Sequence, residues 1–347
     1  MTHILVGAAS RGRPEQYRKE IDAVLPAALR QATFSFDLHD DDDEWDAAIE
    51  SCDALILTSR GLGTRAIARA SRLRLVQKLG IAMDRVDVAA CAARGIALSV
   101  LPDAGHVAVA EHTIMMMLAM ARKLVPTRAA LMRRENPQGL RPMHTTQDRR
   151  YPNWLKWPEH DFPLLCDLTL GLIGFGEIAQ EVAIRARALG MNVIYTKRRR
   201  LDPAVEARFG VAYREMETLL ASSHIVSLHA TLPDGAAPII GAHEIGRMRR
   251  DAMLINTARG NQLDESALRD ALDRGAIGGA ALDVFQVEPA LDVGLIETPG
   301  LLATPHTGGV MPTGRRFRDA LANIDAALHG SSVSGLVSPG TVAVGLP

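Results

Sequence analysis

Short apolar stretches alternate with amphipathic stretches through the first third of the chain. HILVGAA, ATFSFDL, DALILTS, LRLVQKLG and IALSVLP are rich in Val, Ile and Leu, and they predict five strands. The stretches between them, among them Pro14 to Ala28 and EWDAAIESC, have the apolar spacing of helices. Strands and helices that alternate in this way predict a parallel sheet with helices on both faces.

A second series of the same kind begins at LTLGLIGFG and continues through MNVIYT, HIVSLHA, AMLINTA, GAALDVF and LLATPH. Between the two series, residues 106–125 are almost all apolar and predict one long helix that is buried on most sides. The last pattern, TGRRFRDALANIDAALHG, predicts a helix that returns to the N-terminal half. The predicted fold class is therefore α/β, with two doubly wound parallel-sheet domains and the second inserted into the first.

Two segments interrupt this alternation. HDDDDEWDA, residues 39–47, contains five consecutive acids, and we interpret it as a solvated loop that leads into a helix rather than as a metal site. Residues 126–165 form a long polar segment rich in Pro and Arg. No metal site is predicted anywhere in the chain.

Composition excludes several classes of protein. The chain has 347 residues, enough for two domains, and its formal net charge of −1 does not suit a general nucleic-acid binder. Its three cysteines are far apart, which fits a reducing compartment such as the cytoplasm and neither a disulfide framework nor a zinc site. The start MTHILVGAAS lacks the pattern of a signal peptide, and no apolar run is long enough to predict a membrane span.

One glycine-rich turn has the pattern of a dinucleotide-binding site. Its residues, Gly174, Phe175, Gly176, Glu177, Ile178 and Ala179, follow a predicted strand and open a predicted helix. In that context Gly174 allows a tight turn, and Gly176 lets the backbone approach a pyrophosphate at the helix N-terminus. A strand-to-helix turn that binds no ligand remains the alternative.

The next predicted strand runs directly into four cations. NAD-binding sites place Asp or Glu after this strand, to accept a hydrogen bond from the ribose 2′-hydroxyl. This chain has Thr196, Lys197, Arg198 and Arg199 there, so we expect them to bind the 2′-phosphate of NADP. Arg200 is expected to point to solvent, and the alternative interpretation is a solvated basic turn.

Polar residues follow three later predicted strands. Arg259 lies in NTARG, Asp283 and Glu288 in ALDVFQVEP, and His306 in TPHTGG. Open α/β sheets bind their ligands at the carboxyl ends of strands, which is where these side chains should lie. Each of them taken singly could equally be a loop or surface residue.

Together these motifs resemble the D-isomer-specific 2-hydroxyacid dehydrogenases, a family that includes glyoxylate and hydroxypyruvate reductases and phosphoglycerate dehydrogenases. The resemblance extends over LGIAMDRVD, VAVAEHT, the glycine-rich turn, NTARG, ALDVF, VEP and TPHTGG, in that order. It implies a substrate-binding domain of residues 1–104 and 307–347, and an NAD(P)-binding Rossmann domain of residues 105–306.

The resemblance also implies roles for individual residues. It implies that Arg259, Glu288 and His306 are catalytic, and that Thr257 and Asp283 contact the cofactor, Asp283 through the nicotinamide carboxamide. The backbone at Ile81 and Ala82 is expected to bind the substrate carboxylate, together with Arg259 and His306.

The chemistry of these side chains suits those roles. Hydride addition to a 2-keto acid leaves negative charge on the carbonyl oxygen, and a histidine can donate a proton near neutral pH. A carboxylate beside that histidine would favour its charged form and fix its orientation. An arginine offers a planar fork of donors to the substrate's carboxylate and carbonyl.

We therefore expect an NADPH-dependent reductase of small 2-keto acids such as glyoxylate or hydroxypyruvate. A phosphoglycerate dehydrogenase and a nucleotide-sensing corepressor on the same fold remain alternatives. The chain departs from the family's usual pattern at Ala82, Asp103 and His106 and in its long segment 126–165, which leaves the identity of the substrate open.

We also expect a homodimer built on the nucleotide-binding domains through helix 106–125. Next to that helix, the segment 151–162 holds four of the fourteen aromatic residues, namely Tyr151, Trp154, Trp157 and Phe162. They either seal the dimer or, as an equivalent segment does in some reductases of the family, bring Trp154 or Trp157 to the partner's substrate pocket.

Overall fold

The structure, a computed structural model, describes residues 2–7, 14–37, 42–58, 60–80, 83, 85–139, 155–156, 162–233 and 235–337. The chain divides into two compact units. The first consists of Met1–Ala108 and Val310–Pro347, and the second of Val109–Gly309.

The first unit is built on a sheet of five parallel strands. They are β1 His3–Gly7, β2 Thr33–Asp37, β3 Ala54–Leu57, β4 Leu75–Leu79 and β5 Ala97–Leu101, in the order β2-β1-β3-β4-β5. This is the order of a flavodoxin-like doubly wound sheet. All five predicted strands of this half are therefore present.

Helices pack on both faces of that sheet. They are α1 Pro14–Asp22, α2 Asp42–Glu50, α3 Thr64–Arg69, α4 Val88–Ala93 and, near the C-terminus, α13 Arg315–Leu328. Ile4 and Val6 of β1 pack in one core with α1 and α13, whereas Leu5 packs in the other core with α2, α3 and α4. Because successive side chains of a strand point to opposite faces, the unbroken apolar run of β1 fills both cores.

The acidic run leads into a helix, as predicted, within the residues that the structure describes. Asp42, Asp43 and Glu44 form the first turn of α2, where negative charge is favourable. Asp42 and Asp43 have exposed side chains that pair with Arg60 and Arg65.

The second unit is built on a sheet of seven parallel strands. They are β6 Thr169–Ile173, β7 Asn192–Thr196, β8 Val211–Tyr213, β9 Ile225–Leu228, β10 Met253–Asn256, β11 Gly279–Leu282 and β12 Leu301–Ala303. Their order, β12-β11-β10-β9-β6-β7-β8, is that of a Rossmann sheet extended by one strand. The order reverses between β6 and β9, where such sheets bind nucleotides.

Helices pack on both faces of this sheet as well. They are α5 Ala104–Ala121, α6 Leu124–Met132, α7 Glu177–Ala188, α8 Pro203–Phe209, α9 Met216–Ser222, α10 Ala242–Ile245, α11 Glu265–Asp273 and α12 Val293–Ile296. Residues of α5, α7 and α8 share one core, and residues of α9 to α12 share the other. The predicted α/β fold class with two doubly wound sheets is thus confirmed.

The prediction of one continuous helix over residues 106–125 was wrong. Helix α5 ends at Ala121, Lys123 takes a left-handed φ of 47°, and α6 begins at Leu124. Pro126 explains the break, because in a continuous helix its ring would clash with the carbonyl four residues earlier, whereas the first turn of α6 accepts it. Most of α5 is buried or half-buried, as predicted, and its exposed residues are Glu111, Met115 and Leu118.

Helix α5 is long and apolar enough to cross a membrane by those two criteria alone, with a mean hydropathy of 1.2 over 18 residues. The core helix of a globular protein meets the same criteria. Met116 and Met117 of α5 pack into the core of the second unit.

Candidate functional site

The glycine-rich turn lies between β6 and α7, at the reversal of strand order. Gly174 has a φ of 91°, and a Cβ at this position would lie 2.6 Å from the backbone nitrogen of Ala230. Its N–H donates to the carbonyl of Thr196 across a distance of 2.9 Å. Only glycine fits here, and the turn is fixed to the end of β7.

Space is open where a ligand would approach α7. Gly176 is the N-cap of that 12-residue helix, and a Cβ added to it would have no atom within 4 Å. Packing within the protein therefore does not require glycine at this position, whereas the close approach of a pyrophosphate would. The turn fits a dinucleotide.

The other residues of this turn differ in what they can offer. Phe175 is buried against Tyr195, with ring centroids 4.9 Å apart, and Ile178 packs against the same core. Glu177 places a carboxylate in the first turn of α7. That charge would repel a pyrophosphate, so the contact predicted for Glu177 could be made only by its backbone N–H.

The basic turn after β7 presents unpaired positive charge. Thr196 is buried, Lys197 is half-buried, and Arg198 and Arg199 are exposed. Within the described residues, no carboxylate lies within 4.0 Å of the nitrogens of these three cations. Partial burial lowers the pKa of Lys197, and the charge of Arg199 lowers it further. An anion bound here would relieve that repulsion.

The side chain of Arg200 is 59% exposed, in line with the expectation that it points to solvent, but its guanidinium is also paired within the protein. Its Nε and Nη2 each donate to one carboxylate oxygen of Glu206, both over 2.8 Å. The hydroxyl of Tyr195 also donates to Glu206, over 2.8 Å. The hydrogen bonds from Arg200 are the main cause that lowers the pKa of Glu206 from 4.5 to about 2.

The stability contributed by Glu206 should depend on pH. A carboxyl group whose pKa is lowered by folding stabilises the folded state above its unfolded-state pKa of 4.5, and the effect is lost as the pH falls toward about 2. We expect Glu206→Gln to be less stable than the wild type at pH 7, and the difference to narrow at each step below about 4.5. Urea unfolding of both proteins along a pH series measures this, and a difference independent of pH would contradict it.

Arg259, Glu288 and His306 lie at the carboxyl ends of three adjacent strands. Arg259 follows β10, Glu288 follows β11 and His306 follows β12. Nδ1 of His306 lies 2.6 Å from Oε2 of Glu288, and the other oxygen of Glu288 accepts a hydrogen bond from the N–H of Phe285 over 2.9 Å.

The neighbours of Glu288 determine the pKa of its carboxyl group. Burial acts to raise the pKa of Glu288, but hydrogen bonds from His306 and Phe285 and the charges of His306 and Arg259 together lower it. Glu288 is therefore an anion near neutral pH. Because its hydrogen bond occupies Nδ1 of His306, Nε2 is the nitrogen left for a substrate.

Asp283 supports the loop that carries His306. It is 2% exposed, and its oxygens accept hydrogen bonds from the hydroxyl of Thr304 and from the N–H groups of Thr307 and Gly308, over 2.6 to 2.9 Å. The N–H of His306 donates to its carbonyl over 2.8 Å. The predicted contact of Asp283 with the carboxamide would have to use the remaining acceptor capacity of this buried carboxylate.

Residues that the sequence did not single out complete the neighbourhood. Nε2 of His112 lies 2.9 Å from Oγ1 of Thr304 and 3.3 Å from Asp283. The buried hydroxyl of Thr257 lies 2.8 Å from that of Thr113. His112 and Thr113 belong to the motif VAVAEHT, which could have pointed to both.

His229, which follows β9, was also missed. Desolvation lowers its pKa to about 4, so its imidazole is neutral in the usual working range. A Cβ at Gly174 would lie 2.7 Å from the carbonyl carbon of His229. The residue therefore lies beside the glycine-rich turn.

Part of the predicted site lies outside the described residues. Ile81 and Ala82, the predicted backbone ligands of a substrate carboxylate, are among these, as are Tyr151, Trp154 and Trp157. Phe162 is described, and the guanidinium of Arg122 lies 5.4 Å from its ring centroid.

Gly260, next to Arg259, allows the loops after β10 and β11 to meet. A Cβ there would lie 2.0 Å from the carbonyl carbon and oxygen of Phe285. We expect Gly260→Ala to lower the free energy of unfolding by about 1–3 kcal/mol, because overpacking forces the backbone apart. Urea unfolding measures this against Gly309→Ala, whose added Cβ meets only Val109, at 3.9 Å. Equal stabilities of the two variants would contradict the expectation.

These groups together can reduce a carbonyl group. Nε2 of His306 can donate a proton, Glu288 keeps the imidazole oriented, and Arg259 can bind an anionic group beside the carbonyl. The glycine-rich turn belongs to the same unit and fits a dinucleotide that would supply the hydride.

Three curated relatives are similar to this chain over three quarters or more of its length. A 3-phosphoglycerate dehydrogenase of Methanocaldococcus jannaschii is 35% identical over 75% of this chain, which spans only 46% of that protein's length. A hydroxypyruvate reductase of Thermotoga maritima is 34% identical over 78% of this chain and 82% of its own. A glyoxylate reductase of Thermococcus litoralis is 31% identical over 85% of this chain and 84% of its own.

A solved structure has the same fold. It is the NAD complexed form of a D-isomer specific 2-hydroxyacid dehydrogenase from Lactobacillus delbrueckii ssp. bulgaricus, with a TM-score of 0.57 at 22% identity, covering 97% of this chain and 100% of that one. The family model described as D-isomer specific 2-hydroxyacid dehydrogenase, NAD binding domain, matches residues 114–308. The resemblance found in the sequence is thus confirmed: this chain belongs to the D-isomer specific 2-hydroxyacid dehydrogenases, a family of nicotinamide-dependent oxidoreductases that act on a CH–OH group.

Proposed function

We propose that this protein uses NADPH to reduce small 2-keto acids of the glyoxylate and hydroxypyruvate type to D-2-hydroxy acids. The observation that carries the proposal is the hydrogen bond of 2.6 Å between His306 and Glu288, beside Arg259, at the strand ends of the unit that holds the glycine-rich turn. We further propose that residues 105–306 bind the cofactor and that residues 1–104 and 307–347 bind the substrate.

The catalytic residues act on the substrate's oxygen atoms. The cofactor, when bound, supplies a hydride to the carbonyl carbon. His306 then gives the proton on Nε2 to the carbonyl oxygen, and the hydrogen bond between Nδ1 and Glu288 keeps the imidazole in position for the transfer. Arg259 binds the substrate's carboxylate and polarises the carbonyl.

The basic turn supports NADPH as the cofactor. Three cations follow β7 for which the described residues supply no carboxylate within 4.0 Å, and Thr196 stands where an NAD-binding site would place an acid. A 2′-phosphate would bring the missing negative charge, and the predicted contacts are with Thr196, Lys197, Arg198 and Arg199.

Two alternatives remain to be separated by experiment. The relatives include phosphoglycerate dehydrogenases as well as reductases, and the fold could serve a corepressor that only senses the nucleotide. We favour a reductase because a protein that only binds a nucleotide would not need an oriented His–Glu pair next to an arginine.

Steady-state oxidation of NADPH tests the proposal. The panel contains glyoxylate, hydroxypyruvate, phosphohydroxypyruvate and pyruvate, each assayed with NADPH and with NADH. We expect the highest kcat/KM for glyoxylate or hydroxypyruvate with NADPH. A clear preference for phosphohydroxypyruvate would support the phosphoglycerate dehydrogenase alternative, and no oxidation with any acid would support the corepressor.

We also propose that the protein works in the cytoplasm, where free thiols such as those of Cys52, Cys91 and Cys166 stay reduced.

We further propose that the protein is a homodimer built on its nucleotide-binding domains. Helices α5 and α6 together expose six large apolar side chains. They are Met115, Leu118, Leu124, Val125, Leu131 and Met132, each between 38% and 69% exposed. Several large apolar side chains exposed on two consecutive helices favour an interface.

We expect a dimer in light scattering at micromolar concentration. Leu131→Asp should shift the protein toward the monomer, because it places a charge in the apolar surface. Val293→Asp is the matched control, since Val293 is 64% exposed but lies on α12. A monomeric wild type would contradict the dimer.

The prediction that Trp154 or Trp157 reaches the partner's pocket is tested by KM for the keto acid in alanine variants of each.

A further inference from the structure

Both ends of the basic turn after β7 are fixed to buried groups. At the start, the carbonyl of Thr196 accepts the hydrogen bond from Gly174. At the end, the N–H of Leu201 donates to the hydroxyl of Tyr195 over 2.9 Å, and this hydroxyl donates in turn to Glu206. Tyr195 is fully buried, so it is a rigid anchor for the turn.

Glu206 also determines which cations of the run are available. It accepts both hydrogen bonds from the guanidinium fork of Arg200, which lies 5.7 Å from the ring centroid of Tyr213. Both donor groups of this guanidinium fork are therefore already used in hydrogen bonds within the protein. The remaining cations, Lys197 to Arg199, have no carboxylate partner among the described residues.

The anchor of the basic turn is also in contact with the glycine-rich turn. The ring of Phe175, between the two glycines, lies 4.9 Å from that of Tyr195 and 5.6 Å from that of Phe209 on α8, the helix that carries Glu206. The surfaces expected to bind the pyrophosphate and the 2′-phosphate are thus built on one aromatic cluster.

We propose that Glu206 is a positioning residue for recognition of the cofactor's 2′-phosphate. It withdraws Arg200 from the binding surface and holds the turn so that Lys197, Arg198 and Arg199 are in place before the cofactor arrives. The proposal rests on the proposed preference for NADPH. Donors that are already ordered lose less conformational freedom on binding, so this carboxylate strengthens the binding of an anion.

Simple charge repulsion predicts the opposite sign, which makes the proposal testable. If Glu206 acted only as a negative charge close to the phosphate, removing it would tighten phosphate binding. If Arg200 itself bound the phosphate, Glu206→Gln would free it and tighten binding, whereas Arg200→Leu would weaken binding. If Glu206 positions the turn, both variants weaken it.

Calorimetric titration with adenosine 2′,5′-bisphosphate and with adenosine 5′-phosphate measures the contribution of the 2′-phosphate. This contribution is expressed as the dissociation constant of adenosine 5′-phosphate divided by that of adenosine 2′,5′-bisphosphate. We expect Glu206→Gln and Arg200→Leu each to reduce that ratio by about tenfold, since two long side chains lose their order. Tyr195→Phe keeps every charge and removes only the anchoring hydroxyl, and it should change the ratio in the same direction. If circular dichroism shows that Glu206→Gln does not fold, Tyr195→Phe still tests whether the anchored turn strengthens binding of the 2′-phosphate.

Glu215→Gln is the matched control, because it removes an equal charge at an exposed residue near β8 that accepts a hydrogen bond from the hydroxyl of Tyr213. It should leave the ratio unchanged. With saturating NADPH and keto acid, the kcat of Glu206→Gln should stay within about twofold of the wild type, as expected for a loss confined to cofactor binding. An unchanged or increased ratio in Glu206→Gln and in Tyr195→Phe would overturn the role of Glu206. A wild-type ratio near one would overturn the preference for NADPH as well, so the two failures can be told apart.

Discussion

Replacing His306 with alanine is expected to lower kcat by about 10²- to 10⁴-fold, the usual contribution of a general acid. Nδ1 of His306 is held by Glu288 at 2.6 Å, which leaves Nε2 as the proton donor to the carbonyl oxygen. Water would have to supply that proton in the variant. Binding of NADPH, measured by calorimetry, should be nearly unchanged, because the glycine-rich turn and the basic turn do not involve this side chain.

The control for this variant is a second His–Glu pair in the same unit. His243 Nδ1 lies 3.1 Å from Oε1 of Glu244 on α10, and its side chain is 66% exposed. His243→Ala should keep wild-type kcat. The mechanism would be wrong if His306→Ala kept more than about half of the wild-type kcat on the best substrate, given the usual size of this effect.

The second large effect concerns the choice between NADPH and NADH. The wild type should prefer NADPH over NADH by roughly 30- to 1,000-fold in kcat/KM, the range that a few charge-assisted hydrogen bonds to the 2′-phosphate provide. Thr196→Asp combined with Arg198→Ala should shift the preference toward NADH. The aspartate would repel the phosphate and could accept a hydrogen bond from the ribose 2′-hydroxyl, and the second change removes an exposed cation.

Kinetics with both cofactors at fixed ionic strength measure this change. Raising the salt concentration should weaken the wild-type preference, because exposed charges are screened. Arg247→Ala, which removes an arginine that is 53% exposed and pairs with Glu217 rather than belonging to the basic run, should leave the preference unchanged. A wild type with equal kcat/KM for NADH and NADPH would show that the basic turn does not bind the phosphate.

The sequence predicted the fold well because its strands are unbroken apolar runs between turn residues. Strand β1 illustrates this, since Ile4, Leu5 and Val6 must be buried on both faces of a sheet. Strand β8, Val211–Tyr213, was missed because three residues are too few to show a period. The break between α5 and α6 was missed as well, although Pro126 was a visible signal.

The sequence indicated the residues of the candidate site but not the contacts among them. Arg259, Glu288 and His306 could be placed at strand ends by pattern, because parallel strands bring their carboxyl ends to one edge. The pairing of Arg200 with Glu206 could not be predicted, since it depends on how the turn closes over the hydroxyl of Tyr195. Side-chain hydrogen bonds of this kind have no periodic signal in a sequence.

Asp283 shows the same limit. Its motif ALDVF predicted a cofactor contact, whereas the structure gives it hydrogen bonds to Thr304, Thr307 and Gly308 as well. Those partners follow β12, and only the pairing of β11 with β12 brings them to Asp283. A role in supporting the loop of His306 becomes visible only once the two strand ends lie side by side.

The activity proposed for this protein is hydride transfer from NADPH to the carbonyl carbon of a small 2-keto acid, which forms the D-hydroxy acid. The most direct measurement is the product formed from hydroxypyruvate and NADPH carrying deuterium at the transferable position, analysed by NMR and by chiral chromatography. We predict D-glycerate with deuterium on carbon 2, formed in equal amount to the NADP⁺. Formation of L-glycerate, or an absence of deuterium from carbon 2, would show that the protein does not catalyse this reaction.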